Sequence, residues 1–290
     1  MDRLPAARRF VRRFVAGPAL EDALGVAARL NAAGVDAAIT HLGENVATTD
    51  DAARAADAYL EVLAEIGRRR LRAVPSLKLT HLGLDLGDAV CRENLERVAA
   101  RGLAPRTLVW VDMESSAYTD RTLELYRRLH PTYSNLACVV QSYLRRTAQD
   151  VERLIEIGAT VRLCKGAYRE PPAIAFPDKR DVDASYARLL DRLLSADALA
   201  RGVYPAFATH DERLIARARE KAKAGGVTAD RYEIQMLYGI RHDLHATLGA
   251  AGSRLRVLIP YGEDWYGYFV RRLAERPANL AFLFRQLLRG

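Results

Sequence analysis

Residues 204–237 read YPAFATHDERLIARAREKAKAGGVTADRYEIQML, and this one stretch holds a complete strand–helix–strand unit. Tyr204–Thr209 is a short apolar run with the composition of a buried strand. Asp211–Ala224 changes to helical periodicity, and Tyr232–Leu237 returns to a strand-like run. Two buried strands joined by a helix imply a parallel pair.

Working outward, the same alternation fills nearly the whole chain. Strand-like runs fall at Ala37–Thr40, Ala73–Leu79, Thr107–Asp112, Leu136–Val140, Thr160–Cys164 and Leu255–Pro260, beside the two already quoted. Helical patterns lie between them at Asp51–Arg70, Asn94–Arg101, Arg121–Leu129, Asp150–Ile157 and Ala184–Ala200. Eight strands, each followed by a helix, predict an α/β chain folded as a (β/α)8 TIM-type barrel. A doubly wound sheet is the competing reading. It is disfavoured by the lack of a G-x-G-x-x-G or G-x-x-x-x-G-K-[ST] turn after an early strand. No low-complexity tract or Pro/Gly-rich linker interrupts the pattern, so residues 1–290 are expected to form a single domain.

Half of the residues are hydrophobic, which permits a large core and argues against disorder. No apolar run approaches the roughly 18–20 residues of a membrane span, and no secretory signal is visible. Cys91, Cys138 and Cys164 are odd in number and lack CxxC spacing, which suits a reducing compartment and predicts a cytoplasmic protein. The net charge is +8, concentrated in arginine. Arg3, Arg8, Arg9, Arg12 and Arg13 share residues 1–16 with an apolar stripe of Leu4, Ala7, Phe10, Phe14 and Val15. This segment is expected to be a basic amphipathic helix, packed on the rest of the protein or lying at a membrane surface. No nucleic-acid motif accompanies the charge, so nucleic acid is not an expected partner.

A barrel of this kind carries its site at the C-terminal ends of its strands. The predicted strand ends supply His41 and Glu44, Lys78 and His81, Asp112 and Glu114, Gln141, Arg162 and Lys165, Thr209 and His210, Gln235 and Leu237, then Tyr261 and Glu263. Chargeable residues at the same end of nearly every strand point to an enzyme. Further on, Tyr268, Arg271, Arg272 and Glu275 share one broad face of a helix. Adjacent guanidiniums repel unless an anion sits between them, and a carboxylate or phosphate suits their planar forks.

Three chemistries fit these residues. His41, Glu44, His81 and His210 could ligate a metal, although their spacing matches no ligand signature and HExxH is absent. Lys165 or Lys78 could act as a Schiff-base nucleophile, since a lysine in an apolar barrel is readily neutralised. Alternatively, the cations bind a small carboxylate through Lys78, Arg271 and Arg272, and a phosphate-bearing cofactor through Arg162, Lys165, Thr209 and His210. A basic barrel that binds a membrane surface without catalysis stays as the non-enzyme reading.

The segments Ser76-Leu-Lys-Leu79, Val111-Asp-Met-Glu114, Val140-Gln141, Val161-Arg-Leu-Cys-Lys-Gly-Ala-Tyr168, Phe207-Ala-Thr-His210 and Pro260-Tyr-Gly-Glu-Asp-Trp-Tyr-Gly-Tyr-Phe-Val-Arg-Arg-Leu-Ala-Glu-Arg-Pro277 resemble the proline dehydrogenase family. The resemblance is to its monofunctional bacterial form and runs from about Leu42 to Asn279, with the motifs in order. It implies an FAD-binding (β/α)8 barrel that oxidises L-proline to Δ1-pyrroline-5-carboxylate by hydride transfer from C5 to flavin N5. It further implies a quinone as electron acceptor, peripheral contact with the inner membrane, and a place as the first step of proline catabolism to glutamate.

By the same resemblance, Lys78, Arg271 and Arg272 hold the proline carboxylate, while Tyr168, Leu237 and Tyr268 pack around its ring. Arg162 sits near flavin N5, and Asp112 anchors the polar network. Gln141, Lys165, Gly166, Ala167, Thr209, His210 and Glu275 line the cofactor, and Glu44 gates the pocket. No metal is implied. One position departs from the family pattern. A tyrosine usually stands two residues before the Pro-Tyr-Gly proline, and here that place is Leu258. Asp112 is thereby left without its customary hydroxyl partner, unless another residue takes over.

Overall fold

The computed structural model describes residues 13–104, 106–250 and 252–268. Eight strands close into a parallel barrel in sequence order: β1 (Asp36–His41), β2 (Ala73–Leu77), β3 (Val109–Val111), β4 (Leu136–Gln141), β5 (Thr160–Cys164), β6 (Tyr204–Ala208), β7 (Glu233–Leu237) and β8 (Leu255–Tyr261). β8 pairs back onto β1, with Arg256 opposite Asp36 and Tyr261 opposite His41. All eight strands coincide with the runs expected from sequence to within about two residues at each end.

The helices that return the chain are α1 (Leu20–Ala32), α2 (Thr49–Arg68), α3 (Asp88–Leu103), α4 (Ser116–Leu129), α5 (Thr147–Glu156), α6 (Lys179–Leu193), α7 (Ala196–Ala200), α8 (Glu212–Ala224) and α9 (His242–Ala250). α2 shows why such segments fold as they do. The Thr48 side chain accepts from the Asp51 N–H at its start, acids occupy the first turn, and Arg68 occupies the last. Its buried face runs Ala52, Ala55, Ala56, Tyr59, Val62, Leu63 and Ile66, the three-and-four spacing of a helix laid on a sheet. The pattern expected as one helix over Ala184–Ala200 is two helices. Ser195 interrupts it and caps α7 by accepting from the Ala198 N–H. Among the described residues, α1 and α9 are the helices that the sequence reading passed over.

Residues 1–12 of the expected N-terminal helix lie outside the described residues. Residues 13–16 form a turn and bend, in which Phe14 and Val15 are buried against Leu42, Ile240 and Tyr268. The Ala16 N–H donates to the Pro260 carbonyl at 2.8 Å, and the Gly262 N–H donates to that of Gly17 at 2.9 Å. This segment is therefore stitched to the C-terminal end of β8, beside the rim where a barrel carries its site.

Candidate active site

At that rim, a cavity of about 520 Å³ opens between the strand ends. The size suits a ligand of cofactor or drug dimensions. Twelve of the residues given roles by the family resemblance line it, and Gln235 lines it too. β2 and β3 supply Lys78 and Asp112, β4 supplies Gln141, and β5 with its following loop supplies Arg162, Lys165, Gly166, Ala167 and Tyr168. Thr209 and His210 come from the end of β6, Leu237 from β7, and Tyr268 from beyond β8. Glu44 lines an adjoining recess of about 310 Å³, which shares Lys78 and Tyr268 with the main cavity. Arg271, Arg272 and Glu275 lie outside the described residues.

Arg162 is the centre of the polar floor. It projects from the middle of β5 into the barrel and is only 5% exposed. Its Nη1 donates to Asp112 Oδ1 at 2.7 Å and to Ser76 Oγ at 3.2 Å, and its Nε donates to Gln235 Oε1 at 2.5 Å. The guanidinium carbon lies 4.4 Å from the centroid of the Trp110 ring. Burial pulls the guanidinium below its ordinary range, and the Asp112 carboxylate opposes that pull most strongly. Two buried polar atoms of the cavity-lining residues have no hydrogen-bond partner among the described residues: Arg162 Nη2 and Gln141 Oε1. A donor and an acceptor left open in this way are what a flat polar heterocycle would satisfy.

Ser76 answers the question raised by Leu258. Its hydroxyl donates to Asp112 Oδ1 at 2.8 Å, so Asp112 does have a hydroxyl partner, supplied from β2. Ser76 precedes Lys78 by two residues on the same strand. The period-two alternation of strands could have flagged it once Lys78 was chosen. Leu258 lines the cavity as an apolar wall.

Around this floor the rim is held by charge pairs. Lys165 Nζ lies 2.5 Å from Asp183 and 3.2 Å from Asp211. Asp211 also caps α8 by accepting from the Arg213 N–H at 3.1 Å, tying the lysine to a helix start. An ammonium clasped by two carboxylates serves as an ion-pair cation, not as an amine free to attack a carbonyl. His210 Nε2 accepts from the Leu237 N–H at 3.0 Å, which joins the ends of β6 and β7. Gly166 has φ +114°, and a Cβ there would run into the Tyr143 ring, so only glycine lets the chain turn off β5 at this point. Lys78 Nζ and Glu44 Oε2 are 3.7 Å apart where the two recesses meet.

Glu114, deeply buried beside the cavity, accepts from the Thr80 N–H at 3.1 Å and the Thr80 hydroxyl at 2.6 Å. Burial raises its carboxyl above the usual range despite those bonds. Its carbonyl accepts from Gln141 Nε2 at 2.7 Å, which turns the Gln141 oxygen away from that bond and leaves it open. Gln235, whose amide grips Arg162 and which lines the cavity, was among the strand-end residues read from sequence but was assigned no role there. Its signal was its position at the end of a strand.

Comparison with known proteins agrees with this architecture. A family model for proline dehydrogenase matches residues 23–285. The chain is 39% identical to proline dehydrogenase 1 of Bacillus subtilis over 279 residues, covering 96% of this chain and 90% of that protein. It is 37% identical to the proline dehydrogenase of Deinococcus radiodurans over 283 residues, with the same coverage of each. Among solved structures, proline utilization A from Bdellovibrio bacteriovorus, inactivated by N-propargylglycine, superposes with a TM-score of 0.84 at 25% identity. That match covers 92% of this chain and 32% of the other, so this chain spans about a third of the longer protein. With a closed eight-stranded barrel, cations gathered at its rim and a match across nearly its full length, the chain belongs to the proline dehydrogenase family, flavin-dependent oxidoreductases acting on a CH–NH bond.

Proposed function

We propose that this protein uses FAD to oxidise L-proline to Δ1-pyrroline-5-carboxylate and delivers the electrons to a quinone, the first step of proline breakdown toward glutamate. The observation that carries this reading is that two buried atoms on cavity-lining residues, Arg162 Nη2 and Gln141 Oε1, have no hydrogen-bond partner among the described residues. The first is a donor suited to a site of developing negative charge, and the second is an acceptor suited to a ring N–H.

In this reading Arg162, Gln141, Lys165, Gly166, Ala167, Thr209 and His210 hold the cofactor. Held there, FAD would supply a two-electron acceptor for hydride from proline C5, with a quinone as the eventual electron acceptor. Lys78 fixes the proline carboxylate, together with Arg271 and Arg272. Tyr168, Leu237 and Tyr268 enclose the ring, so that binding energy is spent on orientation. Cations around the substrate favour loss of its ammonium proton, and hydride departs most readily from the neutral amine. Asp112 holds Arg162 in place, and Arg162 presents a fixed positive charge where negative charge develops. Glu44 beside Lys78 is suited to gating entry from the adjoining recess. The whole of residues 1–290 serves as one catalytic unit. Among the described residues, no helix is long and apolar enough to cross a membrane, so delivery to a membrane-dissolved quinone would rely on peripheral contact.

The visible absorption spectrum of the purified protein, recorded anaerobically before and after adding proline, tests this. A flavin band that bleaches on proline addition is the expected result. Protein without a flavin band, or a band indifferent to proline, would reject it.

A further inference from the structure

The floor beneath Arg162 continues through the barrel as a line of buried polar side chains. Gln235 Oε1 accepts from Arg162 Nε at 2.5 Å, and Gln235 Nε2 donates to Glu233 Oε1 at 2.5 Å. Glu233 is fully buried and is itself gripped by Arg256 at 2.8 Å and 3.0 Å through both carboxylate oxygens. Arg256 is 3% exposed and spends its remaining donors on the Ala37 carbonyl at 2.9 Å and Asp36 at 3.5 Å. Asp36 keeps Arg72 and Arg254, each at 3.0 Å, as its own partners near the barrel's other end.

An amide has two chemically opposite ends, and only one orientation of Gln235 satisfies both neighbours. Turned over, its NH2 would face the Arg162 N–H and its oxygen would face the Glu233 carboxylate. Arg162, which can only donate, and Glu233, a carboxylate fixed by Arg256 that can only accept, therefore demand the same orientation from opposite ends. We infer that Gln235 and Glu233 are positioning residues for the reaction: Glu233 steadies the Gln235 amide, and Gln235 holds the Arg162 guanidinium by its Nε, which fixes where the open Nη2 donor of this cavity-lining residue lies. This rests on the reading of Arg162 as the group facing the flavin. Glu233 lies beneath the cavity lining, and Gln235, which lines the cavity floor, acts through its bond to Arg162 Nε.

Two variants separate positioning from mere support of the barrel. Gln235→Leu deletes the acceptor for Arg162 Nε and leaves the Glu233–Arg256 pair whole. Glu233→Met combined with Arg256→Met removes the orienting acceptor without stranding a buried charge, since Asp36 retains Arg72 and Arg254. On the purified flavoprotein with proline as substrate, Gln235→Leu is expected to lower kcat about tenfold and the double variant about threefold, with KM for proline little changed. In both, the flavin midpoint potential moves to more negative values, because the cation beside the reduced ring keeps only its Nη1 bonds to Asp112 and Ser76 or loses the brace on Gln235. A purely structural role would lower the melting temperature and leave that potential where it was. Potentials equal to that of the unaltered protein, with or without a fall in kcat, would overturn the inference alone. Absence of flavin from the unaltered protein would overturn the reading of the site and the inference with it.

Discussion

Asp112 Oδ1 receives two hydrogen bonds at once, from Arg162 Nη1 at 2.7 Å and from Ser76 Oγ at 2.8 Å. Arg162 is thus neutralised by a carboxylate that is itself steadied by a hydroxyl from β2. Removing the two supports has unequal consequences. Ser76→Ala removes a hydroxyl that donates to Asp112 and accepts from Arg162 Nη1, at a cost of about 2 kcal/mol of stability. Asp112→Asn leaves a buried guanidinium without its counter-charge and costs about 3 kcal/mol. Urea denaturation of the two variants checks this, and equal losses would mean that Asp112 is not the charge partner that keeps Arg162 in the barrel.

That relationship also shows what the sequence could and could not disclose. The barrel was legible because parallel strands buried on both faces appear as apolar runs, and eight of them alternate with helical periods. Strand ends were legible because polar residues break those runs, which is how Lys78, Asp112, Arg162 and His210 entered the site. Gln235 was legible as a strand-end residue but not in its role, and Ser76 and Glu233 were not legible at all, since those roles depend on how neighbouring strands are registered around the barrel. Register alone brings Glu233 opposite Ala206, itself opposite Arg162, and sets Gln235 opposite Arg256. No local pattern encodes such a meeting. The split between α6 and α7 was missed for a different reason: the capping hydroxyl of Ser195 competes with helix continuation inside an otherwise unbroken pattern.

Lys78 stands where the cavity and its neighbouring recess meet, and its side chain is only 12% exposed. If it holds the substrate carboxylate, Lys78→Met removes a charge-assisted hydrogen bond worth about 1.5–3 kcal/mol. KM for proline then rises about 10- to 100-fold, while kcat falls less because the hydride-donating carbon lies at the other side of the ring. Steady-state kinetics check the split. A fall in kcat with KM unchanged would move Lys78 from binding to chemistry.

Lys165 offers a test of the lysine-nucleophile reading. Its ammonium is clasped by Asp183 and Asp211, and Asp211 is locked as the cap of α8. Freeing the amine would break two ion pairs and leave two carboxylates facing one another. Borohydride added with the pyrroline product is therefore expected to leave the intact mass of the protein unchanged. A reduced adduct mapped by peptide mass to Lys165 or Lys78 would restore Schiff-base chemistry as a contender.

His81 gives the fold an acid limb. Its ring packs in a buried cluster, 5.3 Å from the centroid of His41, which in turn stacks on Tyr261 at 4.9 Å. Tyr59 closes the cluster edge-on, and a side chain at Gly43 would collide with the His81 ring. Burial is the main cause that pushes the His81 imidazole from its ordinary 6.5 down to about 4. His41 and Lys78 add to the effect, and Glu44 opposes it. His41 is lowered as well, again chiefly by burial. Between about pH 6.5 and pH 4 the unfolded chain therefore takes up a proton on His81 that the folded chain refuses. Stability is constant above that window, falls as pH drops through it, and levels off below, for a loss on the order of 3 kcal/mol. Denaturant midpoints measured from pH 7.5 to pH 4 should show this slope. His81→Gln should flatten most of it, leaving the smaller contributions of His41, His130 and His245, each also lowered chiefly by burial, and an unchanged slope in that variant would place the acid sensitivity elsewhere in the barrel.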